Sequence, residues 1–269
     1  MQFYNDGSVT ESAANTGSSE GVTVSSTVAN TKGAWFELIA STDRDLMGFY
    51  LHFYQTGFGF SYLTDIGVGG AGNEEVLVPN LLRQSQSADE TVTGLYIPIS
   101  IAKGTRVSAR LQSSTASTGT RLGFVGISPG FMSDAPYTMA STYGAVTTDS
   151  GGTEVDTSGT INTYGSWVEL TASTDRDHRG LLVTLGDQLN TANTTARCAF
   201  QLAVGGSGSE EIILHSGSNA ISSTEQTSGG HNYWFPIEVP AGSRLAMRRR
   251  SSITNVTDRK MDAVITGIT

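Results

Sequence analysis

Apolar residues in this chain recur at every second position. Val168, Leu170 and Ala172 alternate with Trp167, Glu169 and Thr171, and Ile97, Ile99 and Ile101 alternate with Tyr96, Pro98 and Ser100. Val107, Ala109 and Leu111 alternate with Arg106, Ser108 and Arg110, as Leu245 and Met247 do with Arg244, Ala246 and Arg248. A period of two is the pattern of a strand with one buried face. No segment carries the helical period, and Gly, Asn, Asp and Ser clusters separate the runs, so the chain is predicted to be all-β, built as a sandwich of short strands. About eight strand candidates in each half favour a jelly-roll-like sandwich over an immunoglobulin one, which has about seven.

The halves are copies of one another. Gly33 to Gly48, which contains Trp35-Phe36-Glu37-Leu38 and Ser41-Thr42-Asp43-Arg44-Asp45, returns as Gly165 to Gly180 with Trp167-Val168-Glu169-Leu170 and Ser173-Thr174-Asp175-Arg176-Asp177. Val68-Gly69-Gly70-Ala71-Gly72-Asn73-Glu74-Glu75 returns as Val204-Gly205-Gly206-Ser207-Gly208-Ser209-Glu210-Glu211, and the strand from Arg106 returns from Arg244. Matches in one order along most of the chain indicate tandem duplication of a whole domain rather than a solenoid. Pro129, Gly130 and Pro136 punctuate the join, which places a first domain with an N-terminal arm at 1–133 and a second at 134–269.

Of 269 residues, 38% are hydrophobic, enough for packed cores, while only 15% are charged and the formal net charge is -9. An acidic chain with three lysines is a poor electrostatic partner for nucleic acid. No run is long and apolar enough for a bilayer-spanning helix, so no membrane insertion is expected. The opening residues lack the cationic and apolar parts of a signal peptide, which predicts synthesis in a cytoplasm. Cys198 is the single cysteine, excluding an internal disulfide and a cysteine zinc site, and its alternation with Phe200, Leu202 and Val204 predicts a buried thiol. No cofactor or metal site is predicted, because His52, His178, His215 and His231 are scattered.

Asp43-Arg44-Asp45 and Asp175-Arg176-Asp177 offer paired carboxylates, but each follows a strand beside a glycine turn, and their retention in both copies favours a folding role. In the Glu74-Glu75 and Glu210-Glu211 pairs, one carboxylate is expected in solvent and the other on Arg106 or Arg244. No hydrolase nucleophile motif or phosphate loop is present, so no catalytic residue is assigned. The copies differ most in an aromatic hairpin of the first, which carries Phe49, Tyr50, Phe53, Tyr54, Phe58, Phe60 and Tyr62. Either this hairpin is clamped between two layers or a row of its rings faces a partner. His178 replaces Leu46 of the first copy and reads as an exposed loop histidine, while Arg244, Arg248, Arg249 and Arg250 form a local basic patch in the second.

The repeated Trp-x-Glu-Leu-x-Ala-Ser-Thr-Asp-Arg-Asp and Gly-Gly-x-Gly-x-Glu-Glu segments resemble repeats in structural proteins of tailed bacteriophages. The resemblance covers both copies. It implies a non-enzymatic virion component made in the host cytoplasm, either a head decoration or cement protein or part of a tail or fibre, assembling with other virion proteins as a symmetric oligomer. The residues also admit a carbohydrate-binding β-sandwich that adheres to a host surface glycan, with Trp35, Trp167 or Trp234 stacked on sugar. Matching environments for Trp35 and Trp167 would mark them as packing residues, and exposed indoles would favour sugar.

Overall fold

The structure, a computed structural model, describes residues 9–11, 21–54, 60–85, 92–128, 137–187, 196–221, 231–254 and 260–269. Every regular element among them is a strand, as the two-residue period requires. The first copy contains β1 (Val9–Glu11), β2 (Val22–Ser26), β3 (Phe36–Ile39), β4 (Gly48–Tyr54), β5 (Phe60–Val68), β6 (Glu75–Ser85), β7 (Val92–Ile97), β8 (Val107–Ser113) and β9 (Thr118–Ile127). The second contains β10 (Ala140–Tyr143), β11 (Ala145–Val146), β12 (Gly151–Val155), β13 (Val168–Thr171), β14 (Gly180–Asp187), β15 (Ala196–Val204), β16 (Glu211–Ile221), β17 (His231–Phe235), β18 (Leu245–Ser251) and β19 (Met261–Ile268).

Each copy is a sandwich of two antiparallel sheets in matching order, the second copy adding β11 at one edge. The first copy has β1-β9-β4-β7, with β2 also on β9, facing β3-β8-β5-β6. The second has β11-β12-β19-β14-β17, with β10 also on β19, facing β13-β18-β15-β16. Inward positions of the first copy supply Phe49, Leu51, Ile97, Leu111 and Phe124, with the Phe49 and Phe124 rings stacked at 5.0 Å. Phe200, Leu202, Met247 and Ile265 form the second core. No helix among the described residues is long and apolar enough to cross a membrane.

The sandwiches pack together, and the contact is not symmetric. The outer face of the β5–β6 sheet of the first copy meets the outer face of the β10–β19–β14 sheet of the second. Leu63, Leu82 and Val264 form an apolar cluster across the join, and Ala140, Leu182 and Ile268 extend the first core. Ser61 Oγ donates to Ser150 O at 2.6 Å, Thr142 Oγ1 to Pro79 O at 2.6 Å, and Gln84 Nε2 to Asp262. Double coverage explains why seven successive residues of β5 are buried instead of every other one. The sequence boundary near residue 133 and the Pro129–Pro136 segment lie outside the described residues, as do residues 1–8 and 12–20 of the N-terminal arm.

Candidate functional site

The aromatic hairpin divides by strand parity. Phe49 and Phe53 point into the core of the first copy and Tyr62 is buried in doubly covered β5, so these three do not form a partner surface. Phe60 is half-buried, its ring tilted on Tyr62 at 6.2 Å. The Tyr54 side chain and Phe58 lie outside the described residues. What stays outward is Tyr50, 39% exposed, with Tyr96 opposite it at 5.0 Å and His52 beside it at 6.2 Å. Aligned from Gly48 and Gly180, Tyr50 and His52 correspond to Leu182 and Thr184, and Leu182 is buried in the join between the copies. The first copy thus leaves open the face through which the second copy docks.

The tryptophans occupy matching sites. Arg110 lies over Trp35 at 4.5 Å and Arg248 over Trp167 at 4.4 Å, and both indoles are half-buried. Trp234 packs on Gly180 and meets Tyr137 edge-on at 5.8 Å. By their environments the three are packing residues, held by cation–π and van der Waals contact. The basic patch also dissolves. Arg249 is fully buried on one face of β18, Arg248 and Arg250 flank Tyr164 on the other, and Arg244 bonds Glu169 at 2.6 Å.

Both Asp-Arg-Asp turns close loops. Asp45 Oδ1 accepts from Lys103 N and Asp177 Oδ1 from Ala241 N, each at 2.8 Å, while Arg44 and Arg176 pair with Asp43 and Asp175. In the glutamate pairs the first member takes the arginine: Glu74 bonds Arg106 at 2.8 Å and Glu210 bonds Arg244 at 3.3 Å. Among the described residues no cluster of His, Cys, Asp or Glu has metal-binding geometry.

Sequence reasoning missed a cleft of about 670 Å³ between the two copies. One wall comes from the first copy, where buried Asp65 binds Lys32 Nζ at 2.6 Å, Arg110 Nε at 2.9 Å and the Asn80 backbone N–H at 2.8 Å. Asn80 has φ 50°, and its side-chain carbonyl is buried without a hydrogen-bond partner. The other wall comes from the second copy. Tyr143 Oη donates to Asp175, whose other oxygen accepts from Ser141 Oγ at 2.8 Å. Val76 and Met139, two of the five large apolar side chains left exposed among the described residues, also line the cleft.

Behind this second wall His178 is 1% exposed, not a surface histidine. Its Nε2 lies 2.7 Å from Tyr143 Oη. Tyr143 spends its one proton on Asp175, so Nε2 carries the hydrogen and donates to the phenol, leaving Nδ1 deprotonated in the core without a partner. Burial holds the His178 pKa below its ordinary value, with Asp175 pulling weakly the other way. Burial also raises the Asp175 carboxyl, but hydrogen bonds from Tyr143 and Ser141 and the Arg176 guanidinium outweigh it and bring the group down to about 2.

Both groups act in one direction on stability. A histidine with a depressed pKa stabilises the fold above about 6.5, and that contribution is lost as pH falls below this value. The Asp175 contribution is present above its unfolded value of 3.8 and disappears toward 2. His178→Leu, which installs the Leu46 of the first copy, should flatten the fall in melting temperature from pH 7 to 5 by roughly 3 °C. Superimposable profiles for wild type and variant would show that His178 does not titrate in this range.

No family model matches the sequence, and no curated protein matches it significantly. Among solved structures the chain is similar to PNGF-II, described in a P21 space group, at 8% identity and a TM-score of 0.43 over 97% of this chain and 66% of that one. It is also similar to the N-terminal CBM22-1-CBM22-2 tandem domain of Paenibacillus barcinonensis Xyn10C, at 12% identity and a TM-score of 0.26 over 96% of this chain and 90% of that one. The chain therefore spans just under two thirds of the length of PNGF-II. Overlaps this loose carry no functional argument, so function rests on the chain's own residues.

Proposed function

We propose that the protein is a non-enzymatic carbohydrate-binding β-sandwich protein whose ligand sits in the cleft between the two copies. The observation that carries this reading is the cleft itself. It has the size of a small-molecule site, and its lining combines apolar Val76, Pro79 and Met139 with convergent polar groups from both copies. A saccharide presents the matching surface, C–H faces for the apolar lining and hydroxyls for the polar groups. Binding of the full-length protein to immobilised oligosaccharides, neutral and acidic, tests it. Saturable binding without release of new reducing ends is expected; failure to bind any of them, or cleavage of a bound one, would overturn the reading.

A second, compatible reading is supported by the open face of the first copy. Tyr50, His52 and Tyr96 occupy the position that mediates docking in the second copy, which favours an assembly surface. With the resemblance to phage structural repeats, this points to a component of a virion surface that assembles as a homo-oligomer or on other virion proteins. Light scattering of the full chain and of a Tyr50→Ala/Tyr96→Ala variant checks it. A discrete oligomer that weakens in the variant is expected, and a wild-type monomer would remove the self-assembly form of the reading.

A further inference from the structure

We infer that the cleft selects an acidic saccharide, a sugar bearing one carboxylate, and that the two copies have diverged to build its two walls. The inference rests on the carbohydrate reading and adds the charge and orientation of the ligand.

The duplication supplies its own control. Arg110 on Trp35 corresponds to Arg248 on Trp167, so the stacked arginine belongs to the common fold. Around it the copies differ. Where the second copy has Tyr164 and Gln201, with Gln201 Oε1 accepting from Arg248 at 2.7 Å, the first has Lys32 and Asp65. Replacing a neutral pair by a largely buried ion pair does not by itself stabilise a fold, because both charges must leave water. The change does create an anion site. Lys32 and Arg110 share one carboxylate, leaving a positive surplus on a protein of net charge -9. Nor are their donors exhausted. Lys32 uses two N–H groups, on Asp65 and on Leu63 O, and Arg110 hydrogen-bonds through Nε alone, so one ammonium and four guanidinium N–H groups remain.

The opposite wall has changed in the complementary sense. Leu46 of the first copy packs on Gly126, and His178 of the second packs on Gly267 in its place. His178 donates to Tyr143, and Tyr143 in turn fixes Asp175, whose side chain is 47% exposed. Oδ2 of Asp175 is taken by Ser141 and Arg176, and Oδ1 keeps a lone pair for a ligand hydroxyl. The ligand that fits both walls has a hydroxyl to donate to Asp175 and a carboxylate directed at Lys32 and Arg110. Acetate has only the second feature and glucose only the first.

Calorimetric titration of the full-length protein with glucuronate, glucose, acetate and inorganic phosphate tests the assignment. Glucuronate is expected to bind about tenfold or more tightly than each of the other three. Arg110→Gln should weaken glucuronate about tenfold, and Arg248→Gln, the same substitution at the stacked arginine away from the cleft, should not. Glucose binding as tightly as glucuronate would overturn the acidic assignment and leave the carbohydrate reading standing. No binding by glucuronate, glucose or the oligosaccharide panel would overturn both. Acetate or phosphate matching glucuronate, or full glucuronate affinity in Arg110→Gln, would also overturn the inference.

Discussion

Replacing Asp65 by alanine is expected to lower the stability of the first copy by about 3 kcal/mol, because removing one member of a buried ion pair strands the other charge. Asp65 is 3% exposed and accepts from Lys32, Arg110 and the Asn80 backbone, so the alanine variant loses three hydrogen bonds to one carboxylate. Lys32 suffers most. Burial already pushes its ammonium pKa down against the opposing pull of Asp65, and without the carboxylate only Leu63 O and water remain for it. Arg110 loses less, since its guanidinium is also held by the Trp35 ring. The second copy provides the compensating design. In a Lys32→Tyr/Asp65→Gln variant, the Tyr164–Gln201 solution is carried into the first copy, the Lys32 charge disappears, and Arg110 keeps a neutral acceptor as Arg248 has in Gln201. Chemical denaturation should show the double variant recovering more than half of that loss, roughly 2 kcal/mol. A loss below about 1 kcal/mol for Asp65→Ala would mean that water reaches Lys32 freely and that the pair behaves as a surface bridge.

How far the sequence could be read follows from the range over which each feature is determined. Alternation is local, so the all-β class and the inward set of Phe49, Leu51 and Phe53 were legible from parity alone. Applied to the aromatic hairpin, the same parity separates Tyr50 and His52 from Phe49 and Phe53. Applied to Arg248, Arg249 and Arg250, it separates one buried arginine from two on the outer face. Leu63 was beyond such reasoning, because the outward face of β5 is covered by the second copy, with Leu63 against Val264 and Ser61 on Ser150, and nothing local to β5 encodes that contact. The cleft is non-local in the same way. It joins residues 32, 65, 80 and 110 to 141–143 and 175 only once the copies dock. Yet its components were visible as mismatches in an otherwise close repeat, Lys32 against Tyr164, Asp65 against Gln201 and Leu46 against His178. In a duplicated chain, positions where one copy places a charge or an imidazole opposite a neutral or apolar residue of the other carry the information that a single-copy sequence hides.

The largest packing effect is expected where the copies have exchanged volume across a strand pair. Phe200 on β15 is fully buried and stands in register with Gly217 on β16, where a Cβ would fall deep inside the phenyl ring. The corresponding pair in the first copy, also in register, is Thr64 and Leu81. One copy thus sets a large ring against no side chain, and the other sets a small residue against a leucine. Each arrangement fills a similar space, but the halves are not interchangeable. Gly217→Leu alone would drive a branched side chain into Phe200 and should destabilise the second copy by about 3 kcal/mol or more, since a packed core cannot yield that volume. Phe200→Val alone would leave a cavity over Gly217 and cost about 2–4 kcal/mol. Combined, Phe200→Val/Gly217→Leu reproduces the shape of the first copy without the Thr64 hydroxyl, which has no hydrogen-bond partner there. The double variant should recover most of both losses, a strongly favourable coupling in a double-mutant cycle. Additive losses would show that the two cores are shaped by more than this exchange, with the surrounding side chains fitted to the phenyl ring specifically and unable to accept the aliphatic pair.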